Sequence, residues 1–140
     1  MSGSLEQSSA PCPATVLVVD DEPVIRLDVC AALAEHGYRT VDAADGTEAL
    51  REFRAASPAL LVTDIYMPGL DGLALIMQLR RDGVRIPIIA ISGDLMNYDV
   101  LDLALKLGAD AAVEKPFAMQ EMVSMVDSLL GAPPPCRGAR

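Results

Sequence analysis

The sequence predicts an α/β domain built on a doubly wound, five-stranded parallel sheet, and three observations lead there. Short β-rich runs alternate five times with longer helical patterns, the order that repeated strand–helix units leave in a chain. Three of the runs, VLVV at 16–19, ALLV at 59–62 and IPIIAI at 86–91, are nearly unbroken in apolar residues, as central parallel strands covered by helices on both faces require. The chain has 140 residues, one ordinary domain's length, enough to hide roughly 70% of the surface its unfolded form exposes.

The first strand is expected over Thr15–Val19. A helix follows, with Pro23 near its start, an apolar stripe at Ile25, Val29, Ala32 and Leu33, and Gly37 just past its end. After a strand at Arg39–Ala43, the second helix opens on Asp45-Gly46-Thr47-Glu48, which has the spacing of a capping box with Asp in the Ser/Thr place. A third strand, Ala59–Thr63, precedes a helix that begins at Asp71-Gly72 and runs to about Arg81. A fourth strand, Ile86–Ile91, leads to a helix ended by Gly108, and a fifth, Asp110–Val113, to a last helix from Ala118 to Leu130. Met119, Met122 and Met125 in that helix read mostly as core packing, and His36 as a favourable charge at the end of the first helix.

Five of the ten prolines fall at Pro11, Pro13 and Pro133 to Pro135, so residues 1–13 and 131–140 are expected to be disordered tails around a folded unit of residues 14–130. The bulk properties exclude several roles. Apolar runs such as Leu73 to Met77 are far short of the roughly 20 residues a bilayer requires. The start of the chain lacks the basic and apolar parts of a secretory signal, so the protein is expected to stay in the cytoplasm. Cys12, Cys30 and Cys136 show no metal-ligand spacing and read as reduced thiols. A net charge of −9 argues against nucleic acid as a partner, and nothing after Leu130 resembles an output domain.

In a doubly wound sheet, ligands bind outside the carboxyl ends of the strands. Asp20 and Asp21 follow the first strand there, Asp64 the third, Ser92 the fourth and Lys115 the fifth. Three carboxylates brought together would repel one another, raise at least one pKa and be tolerated mainly with cations among them. The ammonium of Lys115 and a hard divalent ion meet that need. Mg²⁺ suits it best, with Mn²⁺ as a substitute, because it takes a few carboxylates together with waters and phosphate oxygens. Such a set is suited to phosphoryl transfer, in which the protein mostly positions groups and neutralises charge. Asp64 is the best nucleophile, since it leaves a buried strand and precedes the Met67-Pro68-Gly69 turn.

Taken together, V-V-D-D at 18–21, D-I-Y-M-P-G-L-D-G at 64–72, I-S-G at 91–93 and K-P-F at 115–117 resemble, in order and spacing, the signature of response regulator receiver domains. That resemblance implies a flavodoxin-like (βα)₅ fold with strand order 2-1-3-4-5 and a phosphoryl group accepted by Asp64 from a histidine kinase or a histidine phosphotransfer protein. It further implies that Asp21 binds Mg²⁺ directly, Asp20 largely through a water, and Tyr66 through its backbone carbonyl. Ser92 would hydrogen-bond the phosphoryl group, and Lys115 would pair with one of its oxygens, held by a cis bond to Pro116. Output to a downstream protein or a second copy would run over the fourth helix, fifth strand and fifth helix, with no membrane involved.

The chain departs from the pattern at Ala112, where receivers usually carry an aromatic residue that turns inward on activation. The change would then pass through Gly93–Tyr98 instead. Two other functions compete with the receiver. An aspartyl-phosphate phosphohydrolase would need an acid two positions after its nucleophile, and Tyr66 stands there instead. A degenerate receiver that only binds partners would have no use for the intact acidic pair, Asp64 and Lys115.

Overall fold

The computed structural model describes residues 14–93 and 99–131. The terminal segments, with Cys12 and Cys136, and the stretch that holds Asp94 and Tyr98 lie outside those residues. In chain order the elements are β1 (Thr15–Val19), α1 (Pro23–Glu35), β2 (Arg39–Ala43), α2 (Gly46–Ala56) and β3 (Leu60–Asp64). They continue as α3 (Gly72–Arg81), β4 (Ile88–Ser92), α4 (Asp99–Leu107), β5 (Ala111–Glu114) and α5 (Met119–Leu130).

All strand pairs are parallel, and the sheet order is β2-β1-β3-β4-β5. The apolar runs predicted to be central are central: β3 and β4 are buried along their whole length, whereas the outer strands β2 and β5 are only partly covered. Because successive side chains of a strand point to opposite faces, each strand feeds two cores. Leu17 and Val19 of β1 join Leu61, Leu75, Ile76 and Ile88 on one face, while Val16 and Val18 join Val29, Leu33, Val62 and Val126 on the other. Met122 is buried in the second of these cores, and Met119 and Met125 pack against it. Among the described residues no helix is long and apolar enough to cross a membrane.

Three strands lie one or two residues later than the pattern suggests. β4 starts at Ile88 rather than Ile86, because Pro87 lacks the N–H a ladder needs. β3 and β5 each extend one residue further, to Asp64 and Glu114, so Asp64 belongs to the strand rather than to the turn after it. At the helix starts, Asp45 Oδ1 accepts from the Glu48 amide at 2.8 Å while Glu48 Oε1 accepts from the Ala44 amide at 2.8 Å, a reciprocal cap close to the predicted box. Asp71 caps α3 through the Ala74 amide at 2.9 Å. His36 stands at the end of α1 with its Nδ1 3.2 Å from the Ala32 carbonyl oxygen.

The strand order reverses between β1 and β3: the chain leaves β1 toward β2 on one side, then crosses to β3 on the other. The crevice between the β1 and β3 carboxyl ends is therefore the place this topology offers a ligand.

Candidate functional site at the carboxyl edge of the sheet

The buried polar and charged residues of the described chain are Asp20, Thr63, Asp64 and Ser92, and all four lie at or next to the carboxyl ends of β1, β3 and β4. Burying a carboxylate without a counter-charge is expensive, so such a cluster marks a place where folding has been overruled by another need. Asp20, Asp21 and Asp64 each present a carboxylate oxygen within 4.8 Å of the others.

Backbone contacts fix the two buried acids. Asp20 Oδ1 accepts from the Glu22 amide at 2.9 Å, and the Asp20 carbonyl accepts from Arg26 Nη1 at 2.8 Å. Asp64 Oδ1 accepts from the Ile65 amide at 2.9 Å. The turn beyond Asp64 can close only because residue 72 is glycine. A Cβ there would sit 2.1 Å from the Asp64 carbonyl oxygen and 2.8 Å from Ile65 Cα. The Gly72 amide instead donates to the Ile65 carbonyl at 2.9 Å, seating the start of α3 under the site.

Lys115 enters from the far side. Its amide donates to the Ser92 carbonyl at 2.8 Å, its peptide bond to Pro116 is cis, and its side-chain stem runs past Gly93, where a Cβ would approach Lys115 Cδ to 3.3 Å. The ammonium lies 2.6 Å from Glu22 Oε1, 3.1 Å from Asp20 Oδ2 and 3.5 Å from Asp64 Oδ2. Ser92 is buried at the end of β4, one residue beyond Ile91, the register partner of Asp64. Ala112 sits mid-strand in β5 opposite Ala90, so no aromatic ring occupies its place. Tyr66 is 44% exposed and lines an open pocket of about 880 Å³ together with Asp21, Asp64 and Lys115, whose other wall is apolar: Ile25, Pro116, Phe117 and Met119.

Electrostatically the site is short of positive charge. Burial, aided by Asp20 and Asp21, pushes the Asp64 carboxyl up to about 7, against the opposing pull of Lys115 and the Ile65 amide. Burial alone would lower the Lys115 ammonium, but the Glu22 hydrogen bond and the charges of Asp64 and Asp20 outweigh it and hold it above its ordinary value. Asp20 Oδ2 is buried, and its one close partner is the Lys115 ammonium, an ion-pair contact at 3.1 Å. Converging oxygens, a buried carboxylate atom and a nucleophile held partly protonated all fit a hard divalent cation, which would neutralise the cluster and prefers oxygen donors.

The structure thus brings Asp20, Asp21, Asp64 and Lys115 together, with Tyr66 on the same pocket wall and Ser92 at the same sheet edge. Sequence reasoning missed Glu22 as a partner of Lys115. An acid just before a helix ordinarily serves as its cap. Glu22 does occupy the N-cap position, yet its side chain makes no capping bond and reaches the ammonium instead. A third acid directly after an acidic pair was the available signal. The steric role of Gly93 was carried by the I-S-G motif without being readable in it.

Comparison with known proteins agrees with this geometry. The family model described as the response regulator receiver domain matches residues 16–127. Among curated relatives, a probable transcriptional regulator ycf27 of Cyanophora paradoxa is 43% identical over 117 residues, covering 82% of this chain and 47% of its own. The response regulator MprA of Mycolicibacterium vanbaalenii is 37% identical over 128 residues, covering 91% and 54% respectively. This chain therefore spans about half the length of the curated relatives it matches. Among solved structures, the receiver domain of Francisella response regulator 1452 superposes with a TM-score of 0.79 at 33% identity, covering 84% of this chain and 97% of that one. The receiver domain of NtrX from Brucella abortus gives 0.78 at 34% identity, covering 83% and 98%. With the parallel sheet, the strand order and the acidic crevice already in place, these matches mean that the chain belongs to the response regulator receiver domain family.

Proposed function

We propose that this chain is a phosphoacceptor switch of a two-component or phosphorelay system, in which Asp64 takes a phosphoryl group from the phosphohistidine of a histidine kinase or histidine phosphotransfer protein. The observation that carries the reading is a buried, strand-end carboxylate at Asp64 facing both an acidic cluster and the ammonium of Lys115. Phosphorylation and Mg²⁺ are typical of the family, which supports the assignment.

In the proposed step, one Asp64 carboxylate oxygen attacks phosphorus and forms an acyl phosphate. The phosphorus–nitrogen bond of the donor breaks, its electron pair stays on the imidazole nitrogen, and the donor leaves as histidine. The nucleophile must be ionised, which its raised value opposes and a bound cation would favour. A Mg²⁺ or Mn²⁺ ion, held by Asp21 and Asp64, by Asp20 largely through a water and by the backbone carbonyl of Tyr66, would supply charge neutralisation for the carboxylate and the transferring group. Lys115 pairs with a phosphoryl oxygen, and the Ser92 hydroxyl donates to another. The Tyr66 ring, at the mouth of the pocket, limits the line along which water reaches phosphorus. The chain acts on no substrate but itself, catalysing its own phosphorylation and dephosphorylation.

The functional unit is residues 14–130, placed in the cytoplasm and independent of nucleic acid and membrane. Output passes to a downstream protein, or to a second copy, over α4, β5 and α5. Leu103 and Leu105, both 43% exposed on α4, support that surface. Ala112 removes the usual ring, so Ser92 and Gly93 carry the change toward α4.

The test is incubation with acetyl phosphate and Mg²⁺ followed by peptide mass spectrometry. One base-labile phosphoryl group is expected on Asp64. Labelling that survives Asp64→Asn, or that proceeds equally with the metal chelated, contradicts the reading.

A further inference from the structure

We propose that Glu22 is a latch on Lys115, a positioning residue that competes with the phosphoryl group for the ammonium and so shortens the life of the phosphorylated state. The inference rests on the assignment of Asp64 as phosphoacceptor. An ammonium has three hydrogens to give, and in this structure Lys115 faces three carboxylates. Of these, Glu22 is nearest, at 2.6 Å, and Asp64 farthest, at 3.5 Å.

The three partners differ in their freedom to leave. Asp20 and Asp64 have side chains only 1% and 6% exposed, and each is tied by one oxygen to a backbone amide. The Glu22 side chain is 58% exposed and makes no capping bond, so it can swing into solvent at little cost. The stem of Lys115 passes close over Gly93, where even a Cβ would come within 3.3 Å of its Cδ, and the absence of a side chain there leaves the lysine room to redirect its tip. When Asp64 carries a phosphoryl group, Lys115 turns to its oxygens and gives up the contact it can most cheaply break. Glu22 then weighs against the phosphorylated state by the worth of the pair it loses.

Length is what makes Glu22 a latch rather than one more negative charge. Its carboxylate reaches the ammonium from the N-cap position of α1 through two methylenes, and an aspartate there keeps the charge but falls short. The experiment compares wild type with Glu22→Gln and Glu22→Asp at saturating Mg²⁺. The first readout is the affinity for beryllofluoride, a phosphoryl mimic, from amide shifts. The second is the decay rate of protein phosphorylated with acetyl phosphate.

Both variants are expected to bind beryllofluoride about three-fold more tightly and to dephosphorylate correspondingly more slowly, the size expected of an ion pair with one exposed partner. Wild-type values in both variants would overturn the latch. So would an effect of Glu22→Gln that Glu22→Asp does not share, since that outcome reports charge alone. Failure of the wild type itself to take up phosphoryl would instead overturn the assignment of Asp64, which keeps the two claims apart.

Discussion

Two half-buried cations stand at opposite ends of the sheet, and they are embedded in opposite ways. Lys115, at the carboxyl edge, is 13% exposed and faces the carboxylates of Asp20, Glu22 and Asp64. Arg80, toward the amino edge, is 17% exposed and donates to the backbone carbonyls of Gly108, Val84 and Ile86 as well as to Asp110. Its guanidinium closes the end of α4, the turn after α3 and the entry to β4, and Asp110 in turn accepts from the Ile88 amide at 2.9 Å. Every donor of Arg80 meets neutral backbone or a single acid, so the arrangement is balanced and static. Lys115 sits in an excess of negative charge that it cannot cancel. Balance marks a structural pin, whereas imbalance marks a site that waits for further positive charge or for a change of partner.

The sharpest way to break that contrast is to remove each cation. Arg80→Ala strands several partly buried carbonyls and should cost about 3 kcal/mol of stability, a loss that Mg²⁺ does not restore. Lys115→Ala should also be less stable in chelator, but should recover much of the loss when Mg²⁺ is added, because the ion replaces the missing charge. Urea denaturation with and without Mg²⁺ checks both. Recovery of Arg80→Ala by the metal would dissolve the distinction.

A second effect follows from Asp64. Its folded-state value, about 7, stands above the ordinary 3.8 chiefly through burial, then through Asp20 and Asp21. A raised value means that the protonated form is favoured in the fold. The associated stability is therefore fully present below the unfolded value and is lost as pH rises through about 7. Metal-free wild type should lose on the order of 2 kcal/mol between about pH 5 and about pH 8. Asp64→Asn should flatten that slope, as should Mg²⁺ at the upper pH. An equal slope in the variant would place the titration elsewhere.

How much of this was legible in the chain differs between the same two regions. The carboxyl edge could be read because strand ends are short, and chemistry there concentrates unusual residues: Asp20, Asp21, Asp64 and Lys115 stand out against apolar neighbours. Which strands are central was readable for a related reason, since those strands are uninterrupted in apolar residues, whereas the full strand order came from the family resemblance. Strand ends were less so. Asp64 and Ser92 were expected just outside their strands and are their last residues, because pairing with β4 and β5 holds polar side chains that local pattern assigns to a turn. Arg80 gave no signal at all. An arginine in the last turn of a helix reads as a favourable end charge, and its contacts with Gly108 and Asp110 come from the loop between α4 and β5, 28 and 30 positions away. Glu22 was visible as an acid but not as a partner of Lys115, 93 positions distant.

Smaller effects sharpen the picture at the edge of the site. Tyr66→Ala should speed loss of the phosphoryl group several-fold by opening the path for water, and a decay time course decides it, an unchanged or slower rate speaking against shielding. Removing residues 1–12 and 132–140 should move the melting midpoint by no more than a degree or two, because Pro-rich segments offer little apolar area against the roughly 1–2 kcal/mol per residue that ordering costs. A larger drop would show that one of them docks on the domain.

The central claim is that the acidic crevice, and not the rest of the fold, performs phosphoryl uptake at Asp64 with Lys115 as its working cation. The most direct measurement is the initial rate of Asp64 labelling by acetyl phosphate, mapped by mass spectrometry in wild type, Lys115→Ala and Arg80→Ala, all in Mg²⁺ at a temperature where each is folded. Wild type and Arg80→Ala are predicted to label at similar rates, within about two-fold, and Lys115→Ala at least about ten-fold more slowly, as expected when a positioned charge is taken from a phosphoryl-transfer site. Equal rates in wild type and Lys115→Ala, or an equal loss in Arg80→Ala, would contradict it.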